Sequence, residues 1–195
     1  PVAKIASRVM AGENLSSFDL RIKNEKIFAV KEAVFPFNKF PEVDVLLGPE
    51  MKSTGEVMGF DQNFGLSFAK SQMASNNSIP LKGTAFISVR DKDKEKILNN
   101  ALKLIKLGFS LCATPGTAKY LVSKGIKCKK INKVNQGSPH IVEKLNSKSV
   151  ALVINTTEGK DSIAVADSFS LRRSSLMNKI PYFTTLAAAN ACVES

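Results

Sequence analysis

The chain has 195 residues, 44% of them apolar and 23% charged, with a formal net charge of +11 at pH 7. This composition can bury a core, which excludes a disordered chain, and the length suits one large domain or one small domain plus a piece of another. No apolar run approaches the roughly 18 residues of a membrane helix, and no signal peptide opens the chain, so a cytoplasmic, membrane-free protein is expected.

Taken in chain order, the first segment starts at Pro1 rather than Met, as a cut fragment would. Val2, Ile5, Ala6, Val9 and Met10 lie at helical spacing, and Gly12 is placed to end that helix. Residues 27–37 (IFAVKEAVFPF) predict a strand that stops at Pro36. The Gly- and Pro-marked stretch 43–59 reads as loop with a short helix, and residues 64–74 as a helix. Residues 75–80 (SNNSIP) are polar, contain Pro, and form the natural linker between units 1–79 and 80–195. From residue 80 the pattern alternates. Strands are expected at 82–89, 108–114, 126–132, 150–156 and 181–185. Helices are expected at 91–108, 115–125, 138–146 and 161–178, the first burying Ile97, Leu98, Ala101, Leu102, Leu104 and Ile105. Five strands separated by helices predict an α/β fold: a mainly parallel sheet covered by helices on both faces.

Charge divides the chain at the same place. Residues 1–79 carry nine basic and nine acidic groups, so the whole excess of +11 falls in residues 80–195. A basic unit suits an anionic ligand, although a solvated lysine-rich surface explains the charge alone equally well. Cys112, Cys128 and Cys192 match neither CxxC nor a zinc pattern and read as reduced thiols. The glycosylation sequons at Asn76 and Asn155 read as chance matches.

In an open parallel sheet, ligands bind beyond the carboxyl ends of the strands. Those ends carry Ser88, then Lys94 one turn into the next helix; Thr114-Pro115-Gly116-Thr117; Asn132-Lys133; and Asn155-Thr156-Thr157. Hydroxyls, amides and lysines at helix starts are what a phosphate and a ribose need. Thr114 alone is better read as a helix N-cap with nothing bound. The coincidence of two such turns at strand ends, with Lys94 and Lys133 nearby, favours a site. Gly159-Lys160-Asp161-Ser162 lacks the pattern of a P-loop, and no GxGxxG occurs. His140 has no cluster of Cys or acids in sequence that could make a zinc site, and reads as structural. Arg172-Arg173 leave two readings open, a surface pair, which is favoured, and a pair that faces a phosphate or a neighbouring domain.

Two stretches carry a family resemblance. Val30-Lys31-Glu32-Ala33-Val34-Phe35-Pro36-Phe37-Asn38-Lys39-Phe40, followed by the string LGPEMKSTGEVMG at 47–59, closely resembles the end of the second ATP-grasp unit in carbamoyl-phosphate synthase large subunits. From residue 80 onward, Ser88-Val89-Arg90, Ala113-Thr114, Gly116-Thr117-Ala118, Asn132-Lys133-Val134, Pro139-His140-Ile141 and Val153-Ile154-Asn155-Thr156-Thr157 resemble that family's regulatory domain, of the methylglyoxal-synthase-like, Rossmann-like fold. The resemblance implies an α+β piece of an ATP-grasp unit at 1–79 and an allosteric domain at 80–195. It implies a nucleotide effector of the UMP or IMP type at Ser88, Lys94, Thr114, Thr117, Lys133, Asn155, Thr156 and Thr157. It further implies ornithine at Glu32, Phe35, Tyr182 and Thr184. For the complete large subunit it implies ATP with Mg or Mn, a glutaminase small subunit, and synthesis of carbamoyl phosphate from bicarbonate, ammonia and two ATP for arginine and pyrimidine production. The family's metal-binding acids and ATP-contacting core lie upstream of Pro1, so no catalytic residue, cofactor or metal is expected in this stretch. The chain also stops soon after Thr185, where the family usually has a final helix.

Two other readings are weaker. A free-standing methylglyoxal-synthase-like lyase needs a carboxylate base in the loop after the third parallel strand, and Val134-Asn135-Gln136-Gly137-Ser138-Pro139 has none. An RNA-binding module needs aromatics interleaved with basic residues, and the lysines here are scattered.

Overall fold

The computed structural model describes residues 2–20, 26–39, 48–156 and 162–195. The first helix, α1 (Val2–Met10), is amphipathic but buries nothing: Val2 and Met10 are 80% and 90% exposed. Two antiparallel strands follow, β1 (Phe28–Val34) and β2 (Gly55–Asp61), in a register that sets Glu32 opposite Val57. The expectation of loop and short helix at 43–59 is therefore corrected from Gly55 on, residues 43–47 lying outside the described ones. Its glycines suggested a breaker, yet Gly59 is where the next helix, α2 (Phe64–Ala74), presses onto the strand. A Cβ at Gly59 would run into the Ser67 carbonyl and lie 2.7 Å from the Ser71 nitrogen. Asn63 caps α2, its side chain accepting from the Leu66 amide at 3.1 Å.

The larger sheet contains β3 (Thr84–Ser88), β4 (Ser110–Ala113), β5 (Lys129–Lys130), β6 (Leu152–Asn155) and β7 (Tyr182–Phe183), in the order β5-β4-β3-β6-β7 and parallel throughout. Around it lie α3 (Lys94–Lys106), α4 (Pro115–Ser123), α5 (Ile141–Asn146), α6 (Ser162–Met177) and α7 (Leu186–Glu194). Ala85, Phe86 and Ile87 of β3 are wholly buried, as a central parallel strand requires with helices over both faces. Alternate residues serve different cores. Ala85 and Ile87 join Leu111, Ile97, Leu121 and Ile154 on one side, while Phe86 joins Cys112, Ile141, Leu145 and Leu171 on the other. Each large apolar side chain so buried contributes about 1.5–3 kcal/mol.

The helical spacing of α3 mis-assigned two residues. Leu102 and Ile105 are 45% and 38% exposed, and the buried positions are Ile97, Asn100, Ala101 and Leu104. The cause is α7, against which α3 packs: Asn100 donates through Nδ2 to Asn190 Oδ1 at 2.6 Å. The final helix thought to be missing after Thr185 is thus present, capped by Thr185, whose Oγ1 accepts from the Ala188 amide at 3.1 Å. The strand expected at 126–132 shrinks to Lys129–Lys130 because, at the sheet edge, it pairs only with Cys112 and Ala113.

Phe68 of α2 packs on Phe183 of β7 with ring centroids 6.2 Å apart, and Phe68 and Ile79 both lie against the core of the parallel sheet. Among the described residues no helix is long and apolar enough to cross a membrane.

Candidate functional site

The strand order places a topological switch at β3. The chain runs outward from β3 to β4 and β5, then returns to β6 and β7 on the other side. A crevice opens beyond the carboxyl ends of strands at such a point. Here Ser88 ends β3 and pairs in register with Asn155, which ends β6, while Thr114 follows β4. These three, with Lys133, line a cavity of about 20 Å³, together with Asp167, Ser168 and Leu171 of α6. That volume holds about one water, so a larger ligand needs α6 or the turn at Val134 to draw back.

The local chemistry follows from the turns. Thr114 occupies the N-cap position of α4 but makes no side-chain cap bond. Its hydroxyl lies 3.4 Å from Ser88 Oγ and 3.3 Å from Thr117 Oγ1 instead, which leaves the first amides of α4 without that cap. Thr117 is buried, and its Oγ1 accepts from the Val89 amide at 3.3 Å. Thr156 is buried too: its hydroxyl donates to Asp93 Oδ2 at 2.8 Å and accepts from the Arg90 amide at 3.3 Å. Asp93 also accepts from Arg90 Nε at 2.8 Å. Burial works to raise the Asp93 pKa, but the bonds from Arg90 and Thr156 outweigh it and hold the carboxyl below its usual value. Lys94 starts α3 and pairs with the exposed Asp91 at 2.7 Å; its Nζ lies 3.6 Å from where a Cβ on Gly116 would stand.

Of the eight residues expected at the nucleotide, four therefore line one cavity. Thr117 and Thr156 lie behind it with their hydroxyls engaged, Lys94 stands beside the start of α4, and Thr157 lies outside the described residues. Asp167, Ser168 and Leu171 went unremarked in the sequence because helical periodicity does not say which strand end α6 crosses.

A second cleft, of about 540 Å³, is lined by Glu32, Phe35, Tyr182 and Thr184, the four residues expected at ornithine. Gln72, Phe37 and Arg172 are among its other lining residues. Glu32 is half-buried, and Gln72 Nε2 donates to its Oε2 at 3.0 Å. Desolvation outweighs that bond and pushes the Glu32 pKa up from 4.5. In the same lining the Arg172 guanidinium lies 6.0 Å from the Tyr182 ring centroid. Of the two readings of Arg172, its place in this lining favours the one that faces a ligand or neighbouring unit over the surface pair. The two clefts share a contact: Asn155 Nδ2 donates to Tyr182 Oη at 2.7 Å.

Other singled-out residues have structural places. His140 begins α5, and its backbone N–H donates to Glu143 Oε2 at 3.1 Å. The three cysteines are free thiols; burial pushes Cys112 and Cys192 up to about 12 and Cys128 to about 11, which makes them poor nucleophiles. Among the described residues no group of three His, Cys, Asp or Glu could hold a metal ion.

With this geometry in view, residues 96–184 match the family model of the MGS-like domain. Carbamoyl phosphate synthase large chains match the chain along its length. That of Mesorhizobium japonicum is 51% identical over 201 residues, covering 100% of this chain and 17% of the relative. That of Pseudomonas putida is 52% identical over 197 residues, covering 100% of this chain and 18% of the relative, and that of Rhizobium meliloti is 52% identical over 197 residues, 98% and 17%. The chain thus spans less than a fifth of the length of the curated relatives it matches.

Proposed function

Because the chain belongs with the carbamoyl phosphate synthase large chains, matching their carboxyl-terminal part over its whole length, we propose that it is the regulatory, nucleotide-binding part of such an enzyme. The observation that carries the reading is the convergence of Ser88, Thr114, Lys133 and Asn155 on one cavity at the switch point of the sheet. Two hydroxyls, the uncapped start of α4 and a lysine suit the phosphate of a UMP- or IMP-type effector. Thr117 and Thr156 act behind them, holding Thr114 and the backbone at Val89–Arg90 in place. Residues 1–79 are read as the end of an ATP-grasp unit and 80–195 as the allosteric domain. The complete large chain would join bicarbonate, glutamine-derived ammonia and two ATP, with Mg or Mn, in the cytoplasm beside a glutaminase subunit.

The larger cleft supports a second ligand. A desolvated carboxylate at Glu32 and a guanidinium at Arg172 in the lining of one cleft complement an amino acid that carries both an ammonium and a carboxylate, which fits ornithine.

The test is a calorimetric titration of this chain with UMP. Ser88→Ala and Lys133→Ala are each expected to weaken binding about 5- to 150-fold, equivalent to about 1–3 kcal/mol. Parent-like affinity in both variants removes the site; tighter binding of single-stranded RNA than of UMP removes the nucleotide-effector reading altogether.

A further inference from the structure

A third cleft, of about 560 Å³, opens between the β5 edge of the sheet and α5, away from both sites above. Lys129 and Lys130 of β5 and Lys144 of α5 line it, with Cys112 in its floor and no carboxylate in its wall. Lys129 pairs in register with Cys112, so its side chain rises on the face that α5 covers. Lys129 of β5 and Lys144 of α5 thus bring basic side chains to one cleft from two elements.

Carboxylates are scarce around them. Residues 126–148 hold six lysines and one acid, Glu143. That carboxylate is turned to the start of α5, where it accepts from Ser138 Oγ and the His140 amide, each at 3.1 Å. Among the described residues Lys129, Lys130 and Lys144 make no ion pair. Like charges at Lys129 and Lys144 beside one concavity attract a polyanion. The volume is that of a small-molecule site, and no aromatic side chain lines it on which a base could stack.

We propose that this cleft is an additional anion site, taking a small molecule that carries two or more phosphate groups and independent of the cavity at the strand ends. Inorganic pyrophosphate titrated into the ¹⁵N-labelled chain at fixed ionic strength is expected to move the amide resonances of Lys129, Lys130 and Lys144 along a saturating curve. The Lys129→Ala, Lys144→Ala double variant is expected to weaken that curve at least ten-fold while Ser88 and Thr114 respond as in the parent. Both lysines are exposed, so the variant keeps the fold, and the corresponding double arginine variant restores binding. Shifts that do not saturate, that equal ionic strength of sodium chloride reproduces, or that stay confined to Ser88 and Thr114 overturn the site. Stronger competition at these residues by a single-stranded RNA oligomer than by pyrophosphate overturns the small-molecule assignment.

Discussion

Glu32 and Asp93 show burial acting in opposite senses on two carboxylates. Among the described residues Glu32 accepts one hydrogen bond, from a neutral amide, so desolvation wins and its folded pKa lies above 4.5. The folded state then binds the proton more tightly than the unfolded one, and the stability this gives is present below about pH 4.5 and lost as pH rises through the folded pKa. Glu32→Gln is therefore expected to raise the melting temperature at pH 7 by about 1–2 °C and to leave it unchanged near pH 4, as a pair of thermal melts will show. The same variant is expected to lose ornithine binding, so at this position stability and ligand recognition oppose each other. Asp93 receives bonds from Arg90 and Thr156, and its pKa falls below 3.8. Its contribution is present above that pH and lost as pH falls through the folded value. Asp93→Asn is expected to lower stability by about 2 kcal/mol at pH 7 in denaturant unfolding, with the deficit shrinking in acid. Because this carboxylate orients the Thr156 hydroxyl that accepts from the Arg90 amide, UMP affinity should fall with it.

At the scale of elements, the contact between α2 and the β1–β2 pair depends on having no side chain at Gly59. The backbone of α2 occupies the place of a Cβ, and neither strand nor helix can yield without breaking its own hydrogen bonds. Gly59→Ala is expected to cost about 1–3 kcal/mol by forcing the two apart. Chemical denaturation measures that loss, and reduced affinity for ornithine, whose expected site includes Glu32 of β1 and Gln72 of α2, accompanies it. Gly65 meets the same limit on the other side of α2, where a Cβ would strike the Glu194 carbonyl at the end of α7. The hairpin, α2, α7 and β7 are thereby joined in one packed series. The capping of α2 by Asn63 and of α7 by Thr185 fixes where each helix begins, and so which face it presents.

Across the whole molecule, the two proposed ligand sites meet at one hydrogen bond. Asn155 ends β6 in the wall of the small cavity, and Tyr182 begins β7 in the wall of the larger cleft. A ligand that turns the Asn155 amide toward itself shifts the bond to Tyr182, and one that orders Tyr182 holds Asn155. Coupling of this kind is reciprocal and commonly amounts to about 1–3 kcal/mol. Tyr182→Phe keeps the ring and removes the hydroxyl. It is expected to reduce the effect of saturating ornithine on UMP affinity while leaving each ligand's separate binding within about two-fold of the parent. Four titrations, parent and variant with and without ornithine, decide it; an unchanged ornithine effect in the variant excludes this route. The chain by itself is expected to release no bicarbonate-dependent ADP, which a coupled assay on the purified protein checks.

Alternating apolar runs, Pro115 at a helix start and Gly125 after its end were enough to establish five strands, their helices and the parallel sense of the sheet, since these follow from local spacing and from chain connectivity. The residues at the strand ends were legible for the same reason: Ser88, Thr114 and Asn155 each follow directly from where an apolar run stops. Local spacing carries no information about which elements become neighbours. Only the tertiary structure decided that Gly55–Asp61 pairs as a strand with β1, that α7 turns Asn100 inward and leaves Leu102 and Ile105 to solvent, and that α6 closes the cavity with Asp167. Arg172 and Gln72 lie exactly 100 positions apart in sequence, and each is polar in an otherwise ordinary helix, so neither could be assigned to the wall that contains Glu32. Their convergence depends on long-range packing of α2 and α6 around β7, which the whole chain determines together and no window of it determines alone.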